Sequence, residues 1–198
     1  EGEVLSRSRN FYAVTSVQSK AIRDGAGRDF SVNTLDNNGT MHGLQQVVAG
    51  QKTLAPTTYY IPTGGGMAFE QHPLRKAGKP IRAALCGMGI GTLAAYGNAG
   101  DFFRYYEIDP SVVAYATNTE FFTFLSSSSA QIDIVEGDAR QLLVRESARG
   151  EAVYDLIVVD VFSGDSIPTH MATKEAFALY LDRLAPEGVL AVHLSNWH

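Results

Sequence analysis

Residues 81–110 read IRAALCGMGIGTLAAYGNAGDFFRYYEIDP. The order is a short apolar strand (Ile81–Cys86), a glycine turn (Gly87, Gly89, Gly91), a helix over about Thr92–Asn98, and a second strand (Phe102–Ile108) that runs into acid. A glycine turn between strand and helix lets a ligand approach the backbone closely, and a helix start offers unpaired N–H groups. An acid at the end of the following strand can accept hydrogen bonds from both hydroxyls of a ribose. Glu107 stands there, twenty positions after Gly87, with Ile108 and Asp109 next. The layout predicts a nucleotide site.

Glycine spacing separates the possible ligands. A dinucleotide fingerprint needs G-x-G-x-x-G, and Thr92 occupies the place of its third glycine. The G-x-G-x-G pattern resembles instead the sulfonium-nucleoside loop of the class I S-adenosylmethionine fold. At this point the alternative stays open that the glycines only permit tight packing of strand on helix.

Composition narrows the field. A chain of 198 residues can bury a sizeable core, and its length favours one main domain with a small appendage. A net charge of −5 argues against a nucleic-acid scaffold, which normally carries a basic face, and suits cationic or neutral substrates. No run approaches eighteen apolar residues and no signal peptide is visible at the start, so a cytoplasmic setting is expected. The single cysteine, Cys86, fits a reducing compartment and reads as packing rather than chemistry. No His/Cys cluster has metal-ligand spacing, so no metal is expected.

Residues 1–62 have a different texture from the rest. β-formers at Phe11–Val17 and Phe30–Leu35 alternate with turns at Arg23–Arg28 and Asp36–Gly39, which predicts a small antiparallel β domain. Thr40–Gln46 reads as a polar patch carrying His42 and Gln45, and Tyr59-Tyr60 either caps the site or packs between the two parts. From residue 63 onward strand and helix alternate. Helices are expected at Met67–Arg75, from Ser111–Thr117 onward through Phe121–Leu125, at Gln141–Arg149 and at Lys174–Leu184. Strands are expected at Gln131–Glu136, Tyr154–Asp160 and Val189–Leu194, with a turn at Pro186–Gly188. The pattern is that of a doubly wound, parallel α/β sheet over 63–198.

Three acids close three strands of that sheet: Glu107, Asp138 and Asp160. Ligands in such sheets bind outside the carboxyl ends of the strands, so the three should face one crevice. Glu107 suits a ribose, Asp138 with the Ala139 amide suits an adenine edge, and Asp160 lies nearest a reacting group.

The runs GMGIGTL, YYEIDP, GDAR and YDLIVVDVFSGDSIPTHMATKEAFALYLDRLAPEGVLAVHLSN resemble the spermidine synthase (polyamine aminopropyltransferase) family. They are most similar to bacterial spermidine synthase-like domains, some of which are joined to multi-pass membrane segments. Ser8–Tyr12, His42–Gln45 and Tyr59-Tyr60 share the likeness, so it covers nearly the whole chain. The resemblance implies an N-terminal β domain ahead of a Rossmann-like domain of the class I methyltransferase fold. It also implies transfer of an aminopropyl group from decarboxylated S-adenosylmethionine to a polyamine such as putrescine. Carried over by position, Glu107 with Ile108 would hold the ribose, Asp138 with Ala139 the adenine, and Asp160 the attacking amine. Tyr59 and Tyr60 join Asp160 as catalytic candidates, while His42, Gln45 and Asp165 are candidates for contact with the acceptor. The nucleoside is then a co-substrate rather than a tightly held cofactor, a homodimer is expected, and the full-length protein is expected to allow a membrane segment.

Two departures from the family pattern bear on substrate. Aminopropyltransferases carry an acid within the glycine loop, in a pattern like GGGDGG, whereas Gly89 aligns there and no acid occurs from Ala83 to Asn98. A D-S-S-D-P-like segment is replaced by Asp160–Pro168, in which Asp165 stands two positions late. Class I sheets usually add two strands after the fifth, expected here at Val189–Leu194, and the sequence runs to His198. S-adenosylmethionine-dependent methyl transfer and non-catalytic nucleoside binding are the alternative functions.

Overall fold

A computed structural model describes residues 2–23, 25–56, 64–161 and 167–194. The N-terminal segment forms β1 (Glu3–Arg9), β2 (Val14–Arg23), β3 (Asp29–Asn37), β4 (Thr40–Val48) and β5 (Gln51–Lys52), an antiparallel sheet in sequence order. Asn38 and Gly39, both with positive φ, close the β3–β4 hairpin in the twist that flanking strands prefer. Thr40–Gln46, expected as a polar patch, lies within β4 instead. Its pairing runs from Ser31↔Val47 to Asn37↔Thr40, with an irregularity beside Gly43. Main-chain pairing with β3 outweighs the weak strand propensity of Gly43, Gln45 and Gln46.

The short helices α1 (Gly64–Glu70) and α2 (Pro73–Lys76) lead into the second sheet. Its strands are β6 (Arg82–Cys86), β7 (Phe102–Glu107), β8 (Gln131–Glu136), β9 (Tyr154–Val159) and β10 (Leu184–Val192), all parallel, in the order β10-β9-β6-β7-β8. Helices α3 (Pro110–Thr117), α4 (Ala139–Ala148) and α5 (Lys174–Asp182) follow β7, β8 and β9. Asp109, Asp138 and Thr173 cap them, each side chain accepting from a main-chain N–H of the first turn.

The helix expected at Met67–Arg75 is split between α1 and α2, and local geometry departs from expectation in three further places. The helix expected over Thr92–Asn98 is a single 3-10 turn, Thr92–Tyr96. It ends at Gly97, packed so closely that an added Cβ would stand 2.5 Å from Ser128 Oγ and 2.7 Å from Ala130 Cβ. Helix α3 stops at Thr117, and Phe122 and Phe124 are buried from turns rather than from a continued helical face. Helix α5 stops at Asp182, and β10 absorbs the expected turn at Pro186–Gly188 as a bulge between Leu184↔Tyr154 and Val189↔Leu156.

Both sheets share a core. Val17 and Leu35 of the first sheet pack in one cluster with Phe69, Leu85, Ile90, Phe103, Tyr105, Phe122 and Phe124. The opposite face of the parallel sheet buries Ala84, Cys86, Tyr106, Leu143, Ile157 and Tyr180 under α4 and α5. Beneath α4, Arg104 bridges Asp133, Glu146 and Glu151, and Glu146 also accepts from the Tyr106 and Tyr154 hydroxyls. Among the described residues no helix is long and apolar enough to cross a membrane.

Candidate functional site

Chain order reverses between β6 and β9, because β7 and β8 lie to one side of β6 while β9 and β10 lie to the other. Loops leaving the strand ends part at such a point, and a crevice opens outside the carboxyl ends. Here it has a volume of about 330 Å³, within the lower range of small-molecule sites. Gly87, Gly89, Glu107, Ile108, Asp138, Ala139 and Asp160, all expected from the sequence, line it. His42 lines it from β4, so the first sheet contributes a wall.

The glycine turn is shaped by its neighbours. Gly87 has φ of 89°, and a Cβ there would stand 2.1 Å from the Asp160 carbonyl oxygen. Gly89 has φ of 51°, and its Cβ would stand 2.6 Å from the His42 carbonyl oxygen. Only glycine satisfies both the backbone conformation and the contact. Gly91 does not line the crevice; its missing Cβ makes room for the Leu125 side chain. The expected helix N-terminus is also absent, since a five-residue 3-10 turn follows. The open surface of the turn, rather than a helix dipole, is what a ligand meets.

Glu107 braces this turn. Its Oε2 accepts from Met88 N at 3.1 Å and its Oε1 from Asp109 N at 2.9 Å. Burial raises the carboxyl pKa, the neighbouring Asp109 charge adds to that, and the main-chain N–H groups oppose it. A carboxylate has about four acceptor directions, so two main-chain bonds leave capacity for ribose hydroxyls.

Two histidines, His170 and His193, stand against the remaining acids. His170 Nε2 lies 2.7 Å from Asp138 Oδ2, while Asp138 Oδ1 accepts from Gln141 N at 2.8 Å. His193 Nδ1 lies 2.6 Å from Asp160 Oδ1. This hydrogen bond raises the His193 pKa against the opposing effect of partial burial. A lone histidine has no spacing signature, so only strand register could have exposed the second pair: His193 follows Val192, the partner of Val159, just as Asp160 follows Val159.

Tyr12 is another wall that sequence reasoning did not place in the site. Asn10 holds its turn, accepting from Tyr12 N and Ala13 N while donating to Asp109 Oδ1 and Ser111 Oγ. Gln45 corrects an expectation. It is fully buried, accepts from Thr123 N, and donates to Thr123 Oγ1 and the Thr53 carbonyl, so it tethers the 121–125 segment and lines no crevice. Tyr59, Tyr60 and Asp165 lie outside the described residues. Among the described residues no group of three or more His, Cys, Asp or Glu side chains is placed to hold a metal ion. Burial raises the Cys86 thiol to about 12, which keeps it protonated.

No family model matches the chain. It is 31% identical over 118 residues to the polyamine aminopropyltransferase of Vibrio vulnificus (strain CMCP6), a match that takes in 58% of this chain and 38% of that protein. The spermidine synthase of Thermotoga maritima superposes with a TM-score of 0.59 at 13% identity, over 96% of this chain and 56% of its own. A spermidine synthase in complex with the transition-state analogue AdoDATO gives 0.58 at 14% identity, over 96% and 56%. Human methyltransferase-like protein 13 in complex with SAH gives 0.52 at 24% identity, over 64% and 60%. The chain thus spans between about two fifths and three fifths of these relatives. The fold is that of the class I S-adenosylmethionine-dependent methyltransferases, with a parallel sheet preceded by an antiparallel one. Over part of its length the chain is thus similar in sequence to a polyamine aminopropyltransferase, and it shares its fold with spermidine synthases.

Proposed function

We propose that the crevice binds an adenosine-bearing sulfonium compound and that the protein transfers the aminopropyl group of decarboxylated S-adenosylmethionine to a polyamine such as putrescine. The observation that carries this reading is the convergence of Glu107, Asp138 and Asp160 on one crevice beside an open glycine turn. Glu107 takes the ribose hydroxyls, Asp138 with the Ala139 amide takes the adenine edge, and Asp160 faces the acceptor. The aminopropyltransferase and spermidine synthases it resembles lend support from sequence and fold.

The chemistry asks for such an acid. An alkylammonium with pKa near 10.4 has no lone pair to attack with, and freeing it at pH 7 costs about 4 to 5 kcal/mol. Asp160, its side chain 12% exposed, can orient the ammonium and accept its proton, while partial burial of the amine in the site lowers the amine pKa. The amine nitrogen then attacks the methylene beside sulfur. The new N–C bond forms, the C–S bond breaks, and its electron pair returns to sulfur to give a neutral thioether. Alignment of nitrogen, carbon and sulfur supplies the rest of the barrier reduction.

One observation favours a second reading, S-adenosylmethionine-dependent methyl transfer: no acid lies between Ala83 and Asn98 to hold the amine of the decarboxylated donor. Calorimetry with decarboxylated S-adenosylmethionine, S-adenosylmethionine and methylthioadenosine separates the two. Tighter binding of the decarboxylated donor, with turnover on putrescine, is the expected result. Preference for the full amino-acid form would transfer the case to methylation, and binding without turnover on any amine would point to a nucleoside-binding domain.

A further inference from the structure

The Asp160–His193 pair extends the site beyond the three acids. Both residues are pinned by the main chain as well as by their side chains. Asp160 N donates to the Cys86 carbonyl at 2.8 Å and His193 N donates to the Val159 carbonyl at 2.9 Å, so neighbouring parallel strands continue their ladder one step and set the two side chains abreast. The Asp160 side chain is 12% exposed and the imidazole 50% exposed. Asp160 lines the crevice and the half-exposed imidazole stands beside it, Nδ1 against Oδ1, so that Oδ2 is the carboxylate oxygen outside that bond.

We propose that His193 is a positioning residue for Asp160 whose charge decides whether the acid can hold and deprotonate the amine substrate. This rests on the aminopropyl-transfer reading above. With a neutral imidazole, the Nδ1–H fixes the carboxylate and the pair carries one negative charge, which attracts an ammonium and can take its proton at Oδ2. With a charged imidazole the pair is already neutral. Asp160 then binds a cationic amine weakly and is a poorer proton acceptor. The hydrogen bond to Asp160 also moves the imidazole titration above its ordinary value near 6.5, so the changeover belongs to the imidazole rather than to the carboxylate range.

Other titratable groups line the crevice or lie on the elements packed against β10. The crevice holds Glu107, Asp109, Asp138, His42 and His170. Elements packed on β10 carry Asp155 on β9, Glu70 on α1, and Lys174, Glu175 and Asp182 on α5. All of them are retained in a single substitution at His193, so a difference between the variant and the parent belongs to the imidazole.

The test is His193→Gln, whose amide can still donate to Asp160 Oδ1 but never gains a charge. Turnover of decarboxylated S-adenosylmethionine and putrescine is followed from pH 5.5 to 9, with methylthioadenosine affinity as the control for nucleoside binding. The parent should lose kcat/KM on its acid side around a midpoint above 6.5, mainly through a rising putrescine KM. In His193→Gln that limb should move down by at least one pH unit, with kcat at pH 8.5 within threefold of the parent and methylthioadenosine affinity unchanged. Imidazole carbon shifts from NMR should titrate above 6.5 in the parent and lower in Asp160→Asn. Coincident pH profiles, or an imidazole titration indifferent to Asp160, overturn the assignment of His193 while leaving the transfer reading intact. A parent protein that binds methylthioadenosine but turns over no putrescine overturns the transfer reading, and the role of His193 with it.

Discussion

Glu107 has both carboxylate oxygens engaged by main-chain N–H groups, yet burial still lifts its pKa. Ribose hydroxyls donate more strongly to the ionised form, so nucleoside affinity should begin to fall at a higher pH than it would with an ordinary glutamate, near 4.3. Calorimetry with methylthioadenosine between pH 4.5 and 7.5 measures this; an affinity flat to pH 5 would detach Glu107 from the ribose. Glu107→Ala should weaken the same ligand by about 1.5 to 3 kcal/mol, because charge-assisted bonds to ligand and to the turn are lost together. Asp160 should behave differently. Asp160→Asn keeps an acceptor oxygen but removes the charge and the proton acceptor, so turnover should vanish while methylthioadenosine affinity stays within a few-fold. A fully active Asp160→Asn would remove this carboxylate from the mechanism.

At the scale of elements, the glycine turn joins the ends of three strands through its main chain. Gly87 N donates to the Tyr106 carbonyl of β7, and its α-carbon faces the Asp160 carbonyl just beyond β9. Gly87→Ala would set a methyl 2.1 Å from that oxygen at a φ of 89°, so both the contact and the conformation must yield. Positive φ alone costs about 1 to 2 kcal/mol, and displacing backbone should bring the total to about 3 kcal/mol or more. Urea midpoints of the variant and parent check this, and an unchanged midpoint would mean that the turn rebuilds freely. This turn was legible because largely apolar strands ended in glycine or acid, a pattern that survives without tertiary information. The element after it was not legible. Thr92–Tyr96 has helical composition, but the close packing of Gly97 against Ser128 and Ala130 allows only a 3-10 turn. Likewise Gln45 looked like a pocket residue until its burial against Thr123 was known, and His170 and His193 acquire meaning only from the acids that the fold sets beside them.

For the molecule as a whole, the question is whether the N-terminal sheet is an appendage or part of the catalytic body. Its side chains reach across in polar as well as apolar ways. Asn33 donates to the Phe121 carbonyl, Gln45 binds Thr123, and Asn10 binds Asp109, which caps α3 beside Glu107. Leu35, fully buried, pairs across the strands with Val17 and lies in the same cluster as Leu85 of the central parallel strand β6. Leu35→Ala should therefore cost about 2 to 5 kcal/mol, the range for a buried leucine whose cavity relaxes incompletely. Because that cluster spans both sheets, the loss should appear as one cooperative unfolding transition at lower urea, with amides of β3 and β6 losing exchange protection together. Circular dichroism across a urea series, paired with native-state hydrogen exchange, measures both. If β3 exchanges early while β6 keeps its parental protection, the sheets unfold separately. The wall that His42 and Tyr12 lend to the crevice would then be a docked surface rather than part of a single cooperative unit.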